Sequence, residues 1–130
     1  MDRKELKEKI YNFIVEHKEV AFTELEKFFE ELGIDYEGNN AIRLNDKLPI
    51  YAWFNWKSEL NQILLELDEE GKTTFYPATP FIYFIDGKVP DFPIVTSKTG
   101  RHIKKDHWLP VVICTKSHER ILDLRNGIKE

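Results

Sequence analysis

Residues 55–87 read Asn55-Trp56-Lys57-Ser58-Glu59-Leu60-Asn61-Gln62-Ile63-Leu64-Leu65-Glu66-Leu67-Asp68-Glu69-Glu70-Gly71-Lys72-Thr73-Thr74-Phe75-Tyr76-Pro77-Ala78-Thr79-Pro80-Phe81-Ile82-Tyr83-Phe84-Ile85-Asp86-Gly87. Trp56, Leu60, Ile63, Leu64 and Leu67 recur at helical spacing, which predicts an amphipathic helix over 56–70. Asn55 or Ser58 is placed to cap its start, and Gly71 to stop it. Residues 73–76 and 81–85 flank Pro77-Ala78-Thr79-Pro80 and read as the two short strands of a hairpin. Alternation would send Phe81, Tyr83 and Ile85 to one face and Ile82 and Phe84 to the other. Such a hairpin is apolar on both faces. It needs cover, from residues 108–115 or, second, from another chain.

Upstream, Leu6, Ile10, Phe13 and Ile14 share one face of a helix running from about Arg3 to His17. Val20-Ala21-Phe22 suits a small edge strand. Thr23 with Glu26 three residues on has the pattern of a capping box. A second helix follows, with Leu25, Phe28, Phe29 and Leu32 inward and Glu24, Glu26, Glu30 and Glu31 outward, and Gly33 ends it. Residues 35–48 are polar and rich in turn residues, with a candidate short strand at 41–44. Tyr51-Ala52-Trp53-Phe54 reads either as a buried strand or as the lead-in to helix three.

Downstream, Pro90 and Pro93 make 89–95 a loop or an edge segment. Residues 108–115 carry Val111, Val112 and Ile113 and predict a strand, and 118–125 a last short helix.

The order is thus helix, short strand, helix, connector, helix, two-stranded wing. The run from Leu60 to Thr73 resembles a winged-helix recognition helix entering its wing, and Phe22 to Ile34 resembles the second helix of a winged helix-turn-helix. The resemblance covers roughly residues 4–33 and 55–86 and is one of pattern. It implies an α+β fold with a three-helix winged-helix-like core, a β-hairpin and an additional C-terminal strand. The expected organisation is one domain over 1–130, with the core at about 4–86 and an extension at 87–130. The DNA-binding role usual for the family carries over to Lys57, Ser58, Asn61 and Gln62 alone. Glu59, Glu66, Asp68, Glu69 and Glu70 on the same helix repel phosphate. The connector of residues 34–54 is several times longer than the turn of a helix-turn-helix.

Composition narrows the classes. The chain has 130 residues, 42% hydrophobic and 13% aromatic, enough to build a core and to exclude a disordered tail. No apolar run approaches the roughly 20 residues a membrane helix needs, and no apolar segment follows the charged start to suggest a signal peptide. The single Cys114 excludes an internal disulfide and fits a reducing cytoplasm. The net charge of -4 is unevenly spread. Residues 1–70 carry 9 Lys/Arg against 17 Asp/Glu, and residues 71–130 carry 10 against 6, so a polyanion would meet the C-terminal half.

Four cations, Lys98, Arg101, Lys104 and Lys105, lie together, with His102 among them and His107 just beyond. They read either as a phosphate-contacting loop or as a solvated loop balancing the acidic half. His102, His107, Cys114 and His118 have the residue types of a zinc site but loose spacing and no Cys-x-x-Cys. A lone cysteine in an apolar strand is usually a small buried hydrophobe rather than a nucleophile. Glu70-Gly71-Lys72 beside Asp68 has the Glu-x-Lys spacing of some metal nucleases, a spacing common in chains 32% charged. Neither Gly-x-Gly-x-x-Gly nor a phosphate-loop lysine occurs, so no cofactor is expected.

The leading expectation is a small non-enzymatic binding protein in nucleic-acid-associated regulation. Lys98, Arg101, Lys104 and Lys105 would contact phosphate, and Lys57, Asn61 and Gln62 would lie near bases of DNA or RNA. The alternative is a protein-interaction adaptor, binding a partner or a second copy through its acidic helix and aromatic hairpin. A small metal-dependent nuclease or hydrolase is the third reading. No membrane partner is expected.

Overall fold

The computed structural model describes residues 1–96 and 103–127. They form a mixed α+β fold with two three-stranded sheets. Helix α1 (Arg3–His17) starts where the Asp2 carboxylate accepts the Glu5 N–H at 2.8 Å, and it buries Leu6, Ile10 and Ile14. Strand β1 (Glu19–Val20) follows, then α2 (Phe22–Glu31). The cap of α2 is two residues earlier than Thr23-x-x-Glu26 implies. Ala21 is the N-cap, and the Glu24 side chain accepts the Ala21 N–H at 3.0 Å. Thr23 is buried and donates its hydroxyl to Asp86.

The 34–54 connector is not an arm. It contributes most of the antiparallel pair β2 (Glu37–Arg43) and β3 (Ile50–Trp56), with bulges between Glu37 and Arg43. Trp56 closes β3 instead of opening the next helix. Helix α3 (Ser58–Glu69) has Lys57 at its N-cap without a side-chain cap, and it buries Leu60, Ile63, Leu64 and Leu67 as its periodicity predicts. Gly71 takes a left-handed φ of 73° just past its end.

The hairpin expected at 73–85 does not form. Strand β4 (Thr73–Pro77) is present, but residues 81–86 are helix α4 (Phe81–Asp86). Two features explain the difference. Pro80 already has helical φ and ψ and needs no N–H at a helix start, and Gly87 closes the helix at φ 74°. Strand β4 also finds its partner elsewhere, in β6 (Val111–Thr115), paired from Thr73↔Thr115 to Pro77↔Val111. A short apolar run fits either a strand or a buried helix by period alone, and here tertiary pairing decides.

Strand β6 lies between β1 and β4 in an antiparallel sheet ordered β1-β6-β4. The second sheet is β2-β3-β5, in which β5 (His107–Trp108) runs parallel to β3. Helix α5 (Lys116–Arg125) leaves β6 directly, its start capped by Thr115. Trp56, Trp108, Tyr83, Phe22 and Phe29 are the bulkiest fully buried side chains, and they fill the space between the sheets and α2.

Tyr83 shows how α4 is held. Its hydroxyl donates to Val111 O at 2.6 Å and accepts the Phe22 N–H at 3.1 Å, joining α4, β6 and the first turn of α2. Burial pushes the phenol well above its usual range. Replacing Tyr83 by Phe leaves a buried carbonyl and a helix-start N–H without that partner. The expected cost is about 1–3 kcal/mol, read as a lower urea midpoint at unchanged slope.

Candidate functional site

The chemistry concentrates around a side chain that the sequence places on the wrong face. Glu26, expected outward with Glu24, Glu30 and Glu31, is only 4% exposed. Phe22, Leu25, Glu26 and Phe29 sit at i, i+3, i+4 and i+7, so Glu26 lies within the apolar stripe of α2 and points into the core. That spacing was the available signal. Its own charge, with Glu24 and Lys27 close by in sequence, masked it.

Burying a carboxylate is costly unless every lone pair finds a donor. Three donors meet this one. Oε2 accepts the indole N–H of Trp56 at 2.8 Å and that of Trp53 at 3.0 Å, and Oε1 accepts the Lys88 ammonium at 2.6 Å. The Lys88 nitrogen also lies 5.5 Å from the Tyr36 ring centroid, over its face. Tyr36 is itself buried and donates its hydroxyl to Glu30 at 3.0 Å. Burial first, then that carboxylate, raises its phenol.

Two successive turns of pleat cannot put Trp53 and Trp56 on one carboxylate in a regular strand, because an odd separation sends side chains to opposite faces. The backbone supplies the extra rotation at Asn55, a non-glycine residue at φ 66°. Opposite it, Gly38 passes so close that a Cβ there would lie 2.7 Å from Trp56 O. The bulged pair β2–β3 therefore exists in the form that lets both indoles converge.

Above this cluster is a cleft of about 450 Å³, bounded by Tyr36, Glu37, Phe54 and Asn55 on one side and by the 88–92 segment on the other. Phe54 and Phe92 stack across it with ring centroids 4.1 Å apart.

Of the residues expected to contact nucleic acid, Lys57, Asn61, Gln62, Lys104 and Lys105 are described, and they do not share one setting. Lys57 is half exposed and lies 3.3 Å from Asp35. The Asp35 carboxyl is held below its usual range, first by the Glu37 N–H and then by Lys57. Asn61 is corrected: it is 5% exposed, on the inner side of α3, and its Oδ1 has no hydrogen-bond partner among the described residues. It is too buried to reach a base edge. Gln62 is exposed, as are Lys104 and Lys105 just before β5. Lys98, Arg101 and His102 lie outside the described residues.

Cys114 is fully buried in β6, and burial first, then Glu119 and Glu19, pushes its thiol up to about 11. His118 contacts Glu19 at 3.2 Å, and the His107 ring bonds to Lys105 O at 2.8 Å. Among the described residues no group of three or more His, Cys, Asp or Glu is placed to hold a metal ion. Glu70 pairs with Lys7 and Lys72, tying α1 to the end of α3.

Glu26→Ala strands two buried indole N–H groups and an ammonium, and should cost about 3–5 kcal/mol. Lys88→Met should cost less, about 1–2 kcal/mol, because the indoles still hold the carboxylate. Urea unfolding of both variants measures the order. A Lys88 variant as damaging as the Glu26 variant would show that the ion pair, not the indoles, anchors the site.

Comparison with models of known protein families, with curated protein sequences and with solved structures gave no match, so every reading of this chain rests on its own residues.

Proposed function

We propose that this chain is a non-enzymatic protein-interaction module of winged-helix-like architecture, and that it docks a partner on the outward face of α4. The observation that carries the reading is the exposure of three large apolar side chains on a single short helix. Phe81 is 62%, Phe84 52% and Ile85 70% exposed. They fall at i, i+3 and i+4, so they form one face while Tyr83 holds the opposite side in the core. Val89 and Phe92, also exposed, continue the apolar surface along the chain. A contiguous apolar face of this kind is uncommon on a protein surface without a partner.

The winged-helix-like part is supported by the order α1, β1, α2, α3, β4 and β6, with β6 seated between the short β1 and β4. On that reading β2–β3 is an insertion between the second and third helices, and α4 with β5 lies within an enlarged wing.

Nucleic-acid-associated regulation is the second reading. Exposed Lys104 and Lys105 favour it, within a C-terminal half that carries the chain's excess of positive charge. Lys57 and Gln62 at the start of α3 add little, since Glu59 is exposed beside them.

The reading is tested by selecting displayed peptides against the native chain, with counter-selection on a Phe84→Asp/Ile85→Asp variant. The expected result is a peptide family bound with micromolar affinity and weakened at least about tenfold by the double variant, whose melting temperature stays unchanged. Failure to enrich any peptide that depends on α4 sinks the protein-interaction reading. Titration of random duplex DNA at about 50 and 200 mM salt tests the second. Steeply salt-dependent binding that Lys104→Ala/Lys105→Ala weakens would put nucleic acid first. No binding at low salt removes it.

A further inference from the structure

Four features coincide in the cleft above Glu26. First, its walls are aromatic. Tyr36, Phe54 and Phe92 line it, and Trp53 forms part of its floor. Aromatic faces carry negative quadrupole density and attract organic cations. Second, its charge is acidic. Glu26 is met by Lys88, but Glu37 and Asp91 also line the cleft, and neither carboxylate has a cation beside it among the described residues. Third, the chain itself seats an alkylammonium there. Lys88 rests its nitrogen on Glu26 Oε1 at 2.6 Å and over the face of Tyr36 at 5.5 Å. The recognition chemistry is thus already in use in the same cavity, and space of about 450 Å³ remains beside it. Fourth, the cleft wall is fixed by the same backbone that brings the two indoles to Glu26, with Asn55 at φ 66° and the bulge at 37–40.

We propose that this cleft is a receptor for one organic cation, an alkylammonium or guanidinium group, held between the carboxylates of Glu37 and Asp91 and against the rings of Tyr36, Phe54 and Phe92. Its position names the source. Val89 and Phe92 belong both to the cleft and to the apolar surface that continues from α4. A partner segment lying on α4 would therefore bring a Lys or Arg side chain to the cleft with its apolar residues on Phe81, Phe84 and Ile85. The proposal rests on the protein-interaction reading for that source, and it gives the partner a chemistry: apolar residues followed by a basic one. Glu26, Glu37 and Asp91 against the single ammonium of Lys88 make the cleft itself acidic, which favours such a partner by charge.

The test uses the full chain and small probes, so that it stands apart from the α4 experiment. N-acetyl-lysine methylamide, N-acetyl-arginine methylamide and agmatine are titrated while the indole resonance of Trp53 and the amides of 88–92 are followed by NMR. N-acetyl-norleucine methylamide is the neutral control. Saturable shifts with the cations, confined to the cleft and absent with norleucine, are expected at millimolar concentration. Glu37→Gln and Asp91→Asn, both at exposed positions, should each weaken binding about threefold, and about tenfold together. Phe84→Asp should leave these shifts intact while abolishing peptide binding, so loss of one property does not imply loss of the other. Agmatine binding tighter than either capped amino acid assigns the site to a free amine and overturns a partner side chain as its source. Equal shifts with norleucine, no saturation up to roughly 20 mM, or indifference to the carboxylate variants overturns the cation site.

Discussion

One buried carboxylate organises this protein. Glu26 receives the indoles of Trp53 and Trp56 and the ammonium of Lys88, and through them α2 is joined to β3 and to the segment that follows α4. A charge in the interior is tolerated only when its acceptors are filled. That constraint fixes more than the cluster. It requires two side chains an odd number of positions apart to converge, which requires Asn55 at positive φ, which in turn requires the bulged partner strand and Gly38 against the Trp56 carbonyl. The aromatic packing follows the same geometry. Phe22 stacks on Trp53 with centroids 5.5 Å apart, and Phe29 meets Trp56 edge-on at 5.3 Å.

A second polar anchor explains why the outside of α4 is apolar. Tyr83 is the side chain of that helix that the core fully buries, and its hydroxyl satisfies a carbonyl of β6 and an N–H of α2. A helix of six residues held on one side by Tyr83 and Ile82 leaves its other face to solvent. Phe81, Phe84 and Ile85 occupy that face and contribute little to the described core, so folding does not account for them. The two anchors lie close together: Trp53 and Tyr83 stack with centroids 5.1 Å apart, and Thr23 bonds to Asp86 at the end of α4. The cleft and the apolar helix are therefore held by one continuous set of contacts. A partner spanning both would meet a surface already rigid, which lowers the ordering cost of binding.

The long helical stripes were legible in the sequence. The apolar faces of α1 and α3 are as their 3.6-residue spacing predicts, because a long stripe has few alternative ways to be buried. The mixed α+β class and the strand after residue 108 were equally legible, from β-branched residues bounded by turns. The short segments were not. Phe81–Ile85 has the composition of a strand and becomes a helix because Pro80 and Gly87 bracket one helical turn and a half, while β4 pairs with β6 from the far end of the chain. Asn61 and Glu26 were read as surface residues from their polarity, yet both are buried, since polarity marks an average preference and not a position.

What the sequence determined by itself is local: that α1, α2 and α3 are helices, which stripe α1 and α3 turn inward, and that one chain of this composition builds a core. What only the tertiary structure decided is which polar groups enter that core and which apolar groups leave it. Glu26 is buried because donors from residues 53, 56 and 88 reach it, and Phe84 is exposed because Tyr83 and Ile82 seat the other side of α4 on the core. Both outcomes depend on partners 27 to 62 positions away, counted from Glu26 to Trp53 and to Lys88. No local pattern carries that information, because the free energy of burying a charge or a ring is set by the groups that surround it after folding.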